Sequence, residues 1–434
     1  MSGWMLLVAG ALGVIAGATA NHCAERWSQS PRGIDPWLCA RAGETLATLA
    51  GRLPVLGWWL RRTEINATVP GGWLRPLVIE LGLAALFVLL AWTPTQTGYL
   101  RPLMLVGDEL AALGPWPAGV WLRPVDVSFH WAQFLSRAIL LTLMLTASLI
   151  DFDEKLIPDE ITISGAMLGL LLALIWPRTL PVGMATTVNG RAETTFLNLA
   201  TPNGWPEWLA GAPAVTSLLL AWGCFTLWWL AFPPWYFRRG RSPRKALALT
   251  CAWLRREKWL ATWITFLALH WLVIGFAWNQ GGERWHALGS ALFGMVAGGG
   301  LIWITRIIAT HVLGREALGF GDVTLMAMIG ALIGWQACVL VFFVAPIFAL
   351  TVALAQLFLR REGEIYYGPF LCLSTLWILL RWPDWWAWAE PLFRLWWLVP
   401  SALLVCLGLM WLLLIIVRAI KEFAVERFGG EGRR

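Results

Sequence analysis

Nine apolar runs, each close to the ~20 residues a helix needs to cross a bilayer, dominate this chain. They lie near residues 4–20, 74–93, 131–150, 160–176, 212–233, 259–279, 287–309, 336–359 and 396–418. Two shorter runs, about 323–334 and 369–382, set the expected number of spans at nine to eleven. Of 434 residues, 58% are apolar and 14% charged, more apolar surface than a soluble interior of this size could hide. The expected fold is therefore all-α, a polytopic transmembrane helical bundle. The first run could be mistaken for a secretory signal, but no basic stretch precedes it, and it is read as a spanning helix.

Loop charge supplies the orientation. Loop 21–73 carries Arg26, Arg32, Arg41, Arg52, Arg61 and Arg62, and loop 234–258 carries eight cations from Arg238 to Lys258. Arg360 and Arg361 mark a third basic turn, and Lys421, Arg427, Arg433 and Arg434 a basic tail. Placing all four on the cytoplasmic side puts the N-terminus outside and the C-terminus inside. Loops 94–130 and 177–211, rich in Pro, Gly, Thr and Trp, then fall outside. A formal charge of +7 spread over short loops fits topology, and no nucleic-acid partner is expected. Topology also accounts for loop 234–258, whose cations could otherwise bind anionic lipid or a cytosolic partner. The 33 tryptophans fit interfacial belts. The five histidines are isolated and read as packing or interfacial residues, and Gly298-Gly299-Gly300 as a site of close helix packing.

Against this background two carboxylates stand out. Leu318-Gly-Phe-Gly-Asp-Val-Thr-Leu-Met-Ala-Met328 sets Asp322 behind Gly319 and Gly321 at the mouth of an apolar segment. Asp151 ends another apolar run, in Ser-Leu-Ile-Asp151-Phe-Asp153-Glu-Lys-Leu-Ile-Pro158-Asp159. A charge beside lipid is costly to keep, which makes it a functional candidate. The alternation of helices puts both acids at the cytoplasmic face, and the loop cations that set this orientation are separate from them. A pair of carboxyls sharing a proton and a water is sufficient for peptide hydrolysis: like charges at close range cannot both ionise, so one acts as acid and the other as base. The plain alternative makes each a solvated helix-end acid, with Asp322 interacting with the dipole of the helix behind it. Asp153 is the rival to Asp151, and Asp159 reads as a helix cap just after Pro158.

These residues resemble the type IV prepilin peptidases, membrane aspartyl proteases of the Gly-x-Gly-Asp class. Their Gly-x-Gly-Asp-x-Lys-Leu motif is matched by Gly319-Phe-Gly321-Asp322-Val-Thr324-Leu325, with Thr324 where the family has Lys. Their first motif is matched by Asp151…Ile157-Pro158-Asp159, and a Phe-Gly-Pro-Phe-Leu segment by Tyr367-Gly368-Pro369-Phe370-Leu371. More faintly, Leu53-Pro-Val-Leu-Gly-Trp58 and Arg75-Pro-Leu-Val-Ile-Glu80-Leu81 resemble stretches of the family's N-terminal part. The resemblance implies catalytic roles for Asp151 and Asp322, prepilin-like substrates and a bacterial cytoplasmic-membrane location. Peptidase activity in the family needs no cofactor. Many members bind zinc through two Cys-x-x-Cys pairs in the first loop. Here that loop holds only Cys23 and Cys39, so no zinc is expected. The same domain is linked with methylating the new N-terminus from S-adenosylmethionine, which the resemblance leaves open for this chain.

The expected organisation is an N-terminal part (1–95), a peptidase core (131–176 and 287–382), an insertion with two added helices (177–286) and a C-terminal helix and tail (383–434). Two other readings stand beside the prepilin one. The first is an intramembrane protease like the presenilin and signal-peptide-peptidase group, whose Pro-Ala-Leu and Tyr-Asp motifs are missing here. The second is a non-catalytic scaffold or transporter keeping the same fold.

Overall fold

The computed structural model describes residues 3–29, 51, 53–96, 121–122, 127–188, 191–232, 243–256, 259–359 and 366–428. Arg32, Arg41, Arg52, Arg238, Arg239, Arg241, Lys258, Arg360, Arg361, Arg433, Arg434, Cys39 and most of loop 94–130 lie outside the described residues.

The helices are α1 (Gly3–Trp27), α2 (Leu56–Leu60), α3 (Arg62–Thr68), α4 (Leu74–Gln96), α5 (Val127–Glu154) and α6 (Asp159–Ile175). They continue as α7 (Val215–Trp229), α8 (Pro243–Arg256), α9 (Trp259–Gln280), α10 (Gly282–Leu313), α11 (Phe320–Ile333) and α12 (Trp335–Phe358). The last three are α13 (Tyr367–Leu380), α14 (Trp382–Arg394) and α15 (Leu398–Phe428). Among the described residues, seven are long and apolar enough to cross a membrane: α1, α4, α5, α9, α10, α12 and α15. Helices α6, α7, α11 and α13 are shorter but run between the same two ends of the bundle, so each run expected to span is matched by a helix.

Side-chain ties define those ends. At one, Arg75 at the start of α4 pairs with Asp153 at the end of α5 (2.8 Å). Arg306 near the end of α10 donates to the Leu318 carbonyl (3.0 Å), and Arg418 of α15 to the Val312 carbonyl (2.8 Å). At the other end Gln133 of α5 donates to the Leu180 carbonyl (2.7 Å). Following the chain between these marks, the helices alternate in direction. The four basic segments all join helix ends on the Arg75–Asp153 side.

The opposite end carries a small sheet of β1 (Trp121–Leu122), β2 (Val182–Val188) and β3 (Arg191–Phe196), in the order β1-β3-β2. Strands β2 and β3 form an antiparallel hairpin, and β1 adds in parallel to β3. The hairpin lies in what the sequence shows only as a Thr-rich loop. Indoles fix helix ends to this region: Trp285 donates to the Leu209 carbonyl (2.8 Å), Trp335 to Leu199 (3.0 Å) and Trp382 to Val182 (2.8 Å). Trp58, Trp285 and Trp382 are almost wholly buried, so these tryptophans are internal anchors and not members of an interfacial belt. His270 and His286 stack on Phe225 and Trp205, as expected of packing residues.

The core is built on α10 and α11. Every residue of α11 from Asp322 to Ile333 is buried. A Cβ on Gly294 of α10 would run into the Gly330 carbonyl of α11, and one on Gly330 into the Gly294 carbonyl. Only two glycines let these backbones touch. Gly298 and Gly299 continue the contact, in keeping with small residues at helix interfaces in lipid.

Candidate active site

Helix α5 ends at Glu154. Lys155 takes a left-handed conformation (φ 60°) while its N–H donates to the Asp151 carbonyl (2.9 Å), which breaks the helical path. Leu156, Ile157 and Pro158 then run without helical structure to α6. Pro158, with φ fixed near −66°, occupies the N-cap position, and its carbonyl accepts from Ile161 N–H (3.2 Å). Asp159 is therefore not the cap that the sequence suggests. It lies in the first turn beside Glu160, where a negative charge meets the favourable end of the helix dipole.

Helix α11 starts the same way, with Gly319 at its N-cap. The Asp322 carboxylate, in the first turn of α11, lies back toward the Gly319 cap, 3.7 Å from where a Cβ would sit there, near the favourable end of the helix dipole. The two glycines of the motif differ in purpose. A Cβ on Gly321 would meet the Ile157 Cβ at 2.8 Å, whereas one on Gly319 has no neighbour closer than the Asp322 carboxylate at 3.7 Å. Gly321 thus lets α11 pack against the loop that follows Asp151. Thr324, one turn further on, donates to the Gly321 carbonyl (3.1 Å) and accepts from Thr162 of α6 (3.0 Å). Where the resemblance has a lysine, this chain has a hydroxyl that joins α6 to α11.

The start of α13 brings the two acids together. A Cβ on Gly368 would lie 2.7 Å from Asp151 Oδ2 and 3.4 Å from Asp322 Oδ1. The two oxygens can be no farther apart than those two distances added together. Each residue is 7% exposed, buried but not sealed. Both line an open cleft of about 620 Å³, with Ile157, Pro158, Asp159 and Gly319 through Asp322 on its walls and Trp27, Tyr366 and Tyr367 beside them. The cleft opens at the Arg75 end of the bundle.

Asp153 faces away. It is held by Arg75 from α4 (2.8 Å), and Glu154 beside it accepts from Ser28 after α1. Arg75 thus engages Asp153, whereas Asp151 lines the cleft with Asp322. Gly368 was visible in the sequence only within Tyr367-Gly368-Pro369-Phe370-Leu371, the segment resembling the family's Phe-Gly-Pro-Phe-Leu. Its contact with carboxylates from two distant helices is not a local signal. No group of three or more His, Cys, Asp or Glu that could hold a metal occurs among the described residues.

Residues 246–354 match the model of the type IV leader peptidase family. Over this region, the chain is similar to that family. The match contains the Gly319–Asp322 motif, begins inside the segment read above as an insertion, and leaves Asp151 ahead of it. The chain is 29% identical over 157 residues to a prepilin leader peptidase/N-methyltransferase of Aeromonas salmonicida, covering 32% of this chain and 53% of that protein. It is 35% identical over 101 residues to the protein of that name from Pseudomonas aeruginosa, covering 23% of this chain and 34% of that protein. With the one from Escherichia coli it shares 32% over 112 residues, covering 25% of this chain and 48% of that protein. The chain thus spans about half the length of these relatives, or less. No solved structure matches it.

Proposed function

We propose that this membrane protein is an aspartyl endopeptidase that removes leader peptides from prepilin-like proteins at the cytoplasmic face of a bacterial inner membrane. The observation that carries this reading is the convergence of Asp151 and Asp322 on Gly368 at the floor of an open cleft. The names of the relatives supply the substrate class. The basic segments that join helix ends on the cleft side support a cytoplasmic location for that side.

In this mechanism the pair holds one proton and one water. The ionised carboxylate takes a proton from water, and the new hydroxide bonds to the scissile carbonyl carbon. The protonated carboxyl gives its proton to the carbonyl oxygen. Collapse of the tetrahedral species breaks the C–N bond as a proton passes to the leaving nitrogen. The cleft gives water access, and the buried helix ends hold the carboxyls in position, which lowers the barrier by orienting the reacting groups. A substrate with a polar leader and an apolar helix suits the position: its leader enters the cleft while its helix stays in lipid.

The test is co-expression with a pilin-like precursor, followed by N-terminal sequencing of the product. Wild-type chain yields a single new N-terminus, while Asp151→Asn and Asp322→Asn leave the precursor intact though both variants insert normally. Processing that persists in either variant contradicts the assignment.

A further inference from the structure

Helix α8 (Pro243–Arg256) joins two helices that run through the bundle, α7 and α9, and is not itself a span. It sits on the cleft side. Phe232, just after α7, meets Phe320 at the start of α11 with ring centroids 6.4 Å apart. The cations of α8 follow the helical repeat. Arg244 and Lys245 recur as Arg255 and Arg256 eleven residues later, three helical turns on, so all four share one side. These four are exposed, as are Ala248 and Ala252 between them. Thr250, at the centre of the opposite and otherwise apolar side, is 3% exposed. No carboxylate occurs anywhere in α8.

Positive-inside topology asks only for cations somewhere in a loop. It does not ask that they line one face of a helix. A short helix with a basic face and an apolar face, tethered at both ends to helices of a membrane bundle, is held at the level of the headgroups. We propose that α8 is a lipid-reading helix whose four cations bind the anionic headgroups of the leaflet on the cleft side. The occupant follows from charge: phosphate-bearing headgroups with a net negative charge lie in the same plane as the helix and complement a face with no acid on it. The assignment depends on the membrane fold and not on the peptidase reading, so either can fail without the other.

The test uses the full chain in nanodiscs of equal parts phosphatidylcholine and phosphatidylglycerol. Native mass spectrometry then counts the lipids retained on release. Wild-type chain should keep phosphatidylglycerol in excess over phosphatidylcholine. The variant Arg244→Gln/Lys245→Gln/Arg255→Gln/Arg256→Gln should lose this preference, by about fivefold for each cation removed. Two controls separate charge from folding. The charge-keeping variant Arg244→Lys/Lys245→Arg/Arg255→Lys/Arg256→Lys should retain the preference, and so should Arg315→Gln, which removes an exposed cation elsewhere. The proposal is overturned if the wild type shows no headgroup preference or if the four-Gln variant matches it. It is equally overturned if the four cations instead capture an acidic polypeptide or an RNA while lipid retention stays neutral.

Discussion

At the scale of single residues, the site depends on what is missing at position 368. With a Cβ 2.7 Å from Asp151 Oδ2, Gly368→Ala forces a carboxylate or the start of α13 to move. A displacement near 1 Å in a catalytic group costs about a hundredfold in rate. Gly368→Ala should therefore lower precursor processing by that order while the protein still inserts, as a processing time course beside a thermal melt will show. Gly319→Ala serves as the contrast, because its Cβ meets nothing closer than 3.7 Å, and it should keep near-normal activity. Asp153→Asn should also remain active. Its pair with Arg75 is partly exposed, and such bridges contribute at most about 1 kcal/mol. A large loss of processing in Asp153→Asn would return that residue to the site. The sequence showed Asp151 and Asp322 because charges at the ends of apolar runs are rare. It could not choose between Asp151 and Asp153 without the resemblance, because only the fold brings Arg75 to one of them.

At the scale of elements, hydropathy located the long helices well, since about 20 apolar residues in a row have few other uses. Three kinds of element escaped it. Helix α8 and helix α14 are too polar to register as spans, and the β2–β3 hairpin is short and Thr-rich. Each is defined by periodicity or pairing rather than by overall apolarity. Buried polar contacts between elements were also out of reach. Glu80 of α4 is wholly buried and accepts from Val55 N–H (2.6 Å), Trp58 Nε1 (2.8 Å) and Asn21 Nδ2 (3.3 Å). It thereby ties the segment around α2 to α1 and α4. Glu80→Ala leaves these donors without that acceptor, at about 1–3 kcal/mol for each one stranded. The expected result is faster limited proteolysis between residues 53 and 68, with the distant Asp pair unaffected. Unchanged proteolysis would mean that the segment is held by other contacts.

At the scale of the whole molecule, the alternating helices bring the helix ends that the four basic segments join, the two acids and the cleft to one end. The sheet and the tryptophans Trp285, Trp335 and Trp382 that anchor to its surroundings occupy the other. The charge pattern and the acid pair therefore rest on separate residues at one end of the bundle. The central claim is that Asp151 and Asp322 work as one unit, and mutant kinetics test it most directly. Groups that act as a unit are strongly non-additive when removed. Purified, reconstituted wild type, Asp151→Asn, Asp322→Asn and the double variant should be compared for cleavage of one pilin-like precursor. The account predicts that both single variants fall to the same background rate as the double. Substantial residual cleavage in one single variant, or losses that multiply in the double, would contradict it.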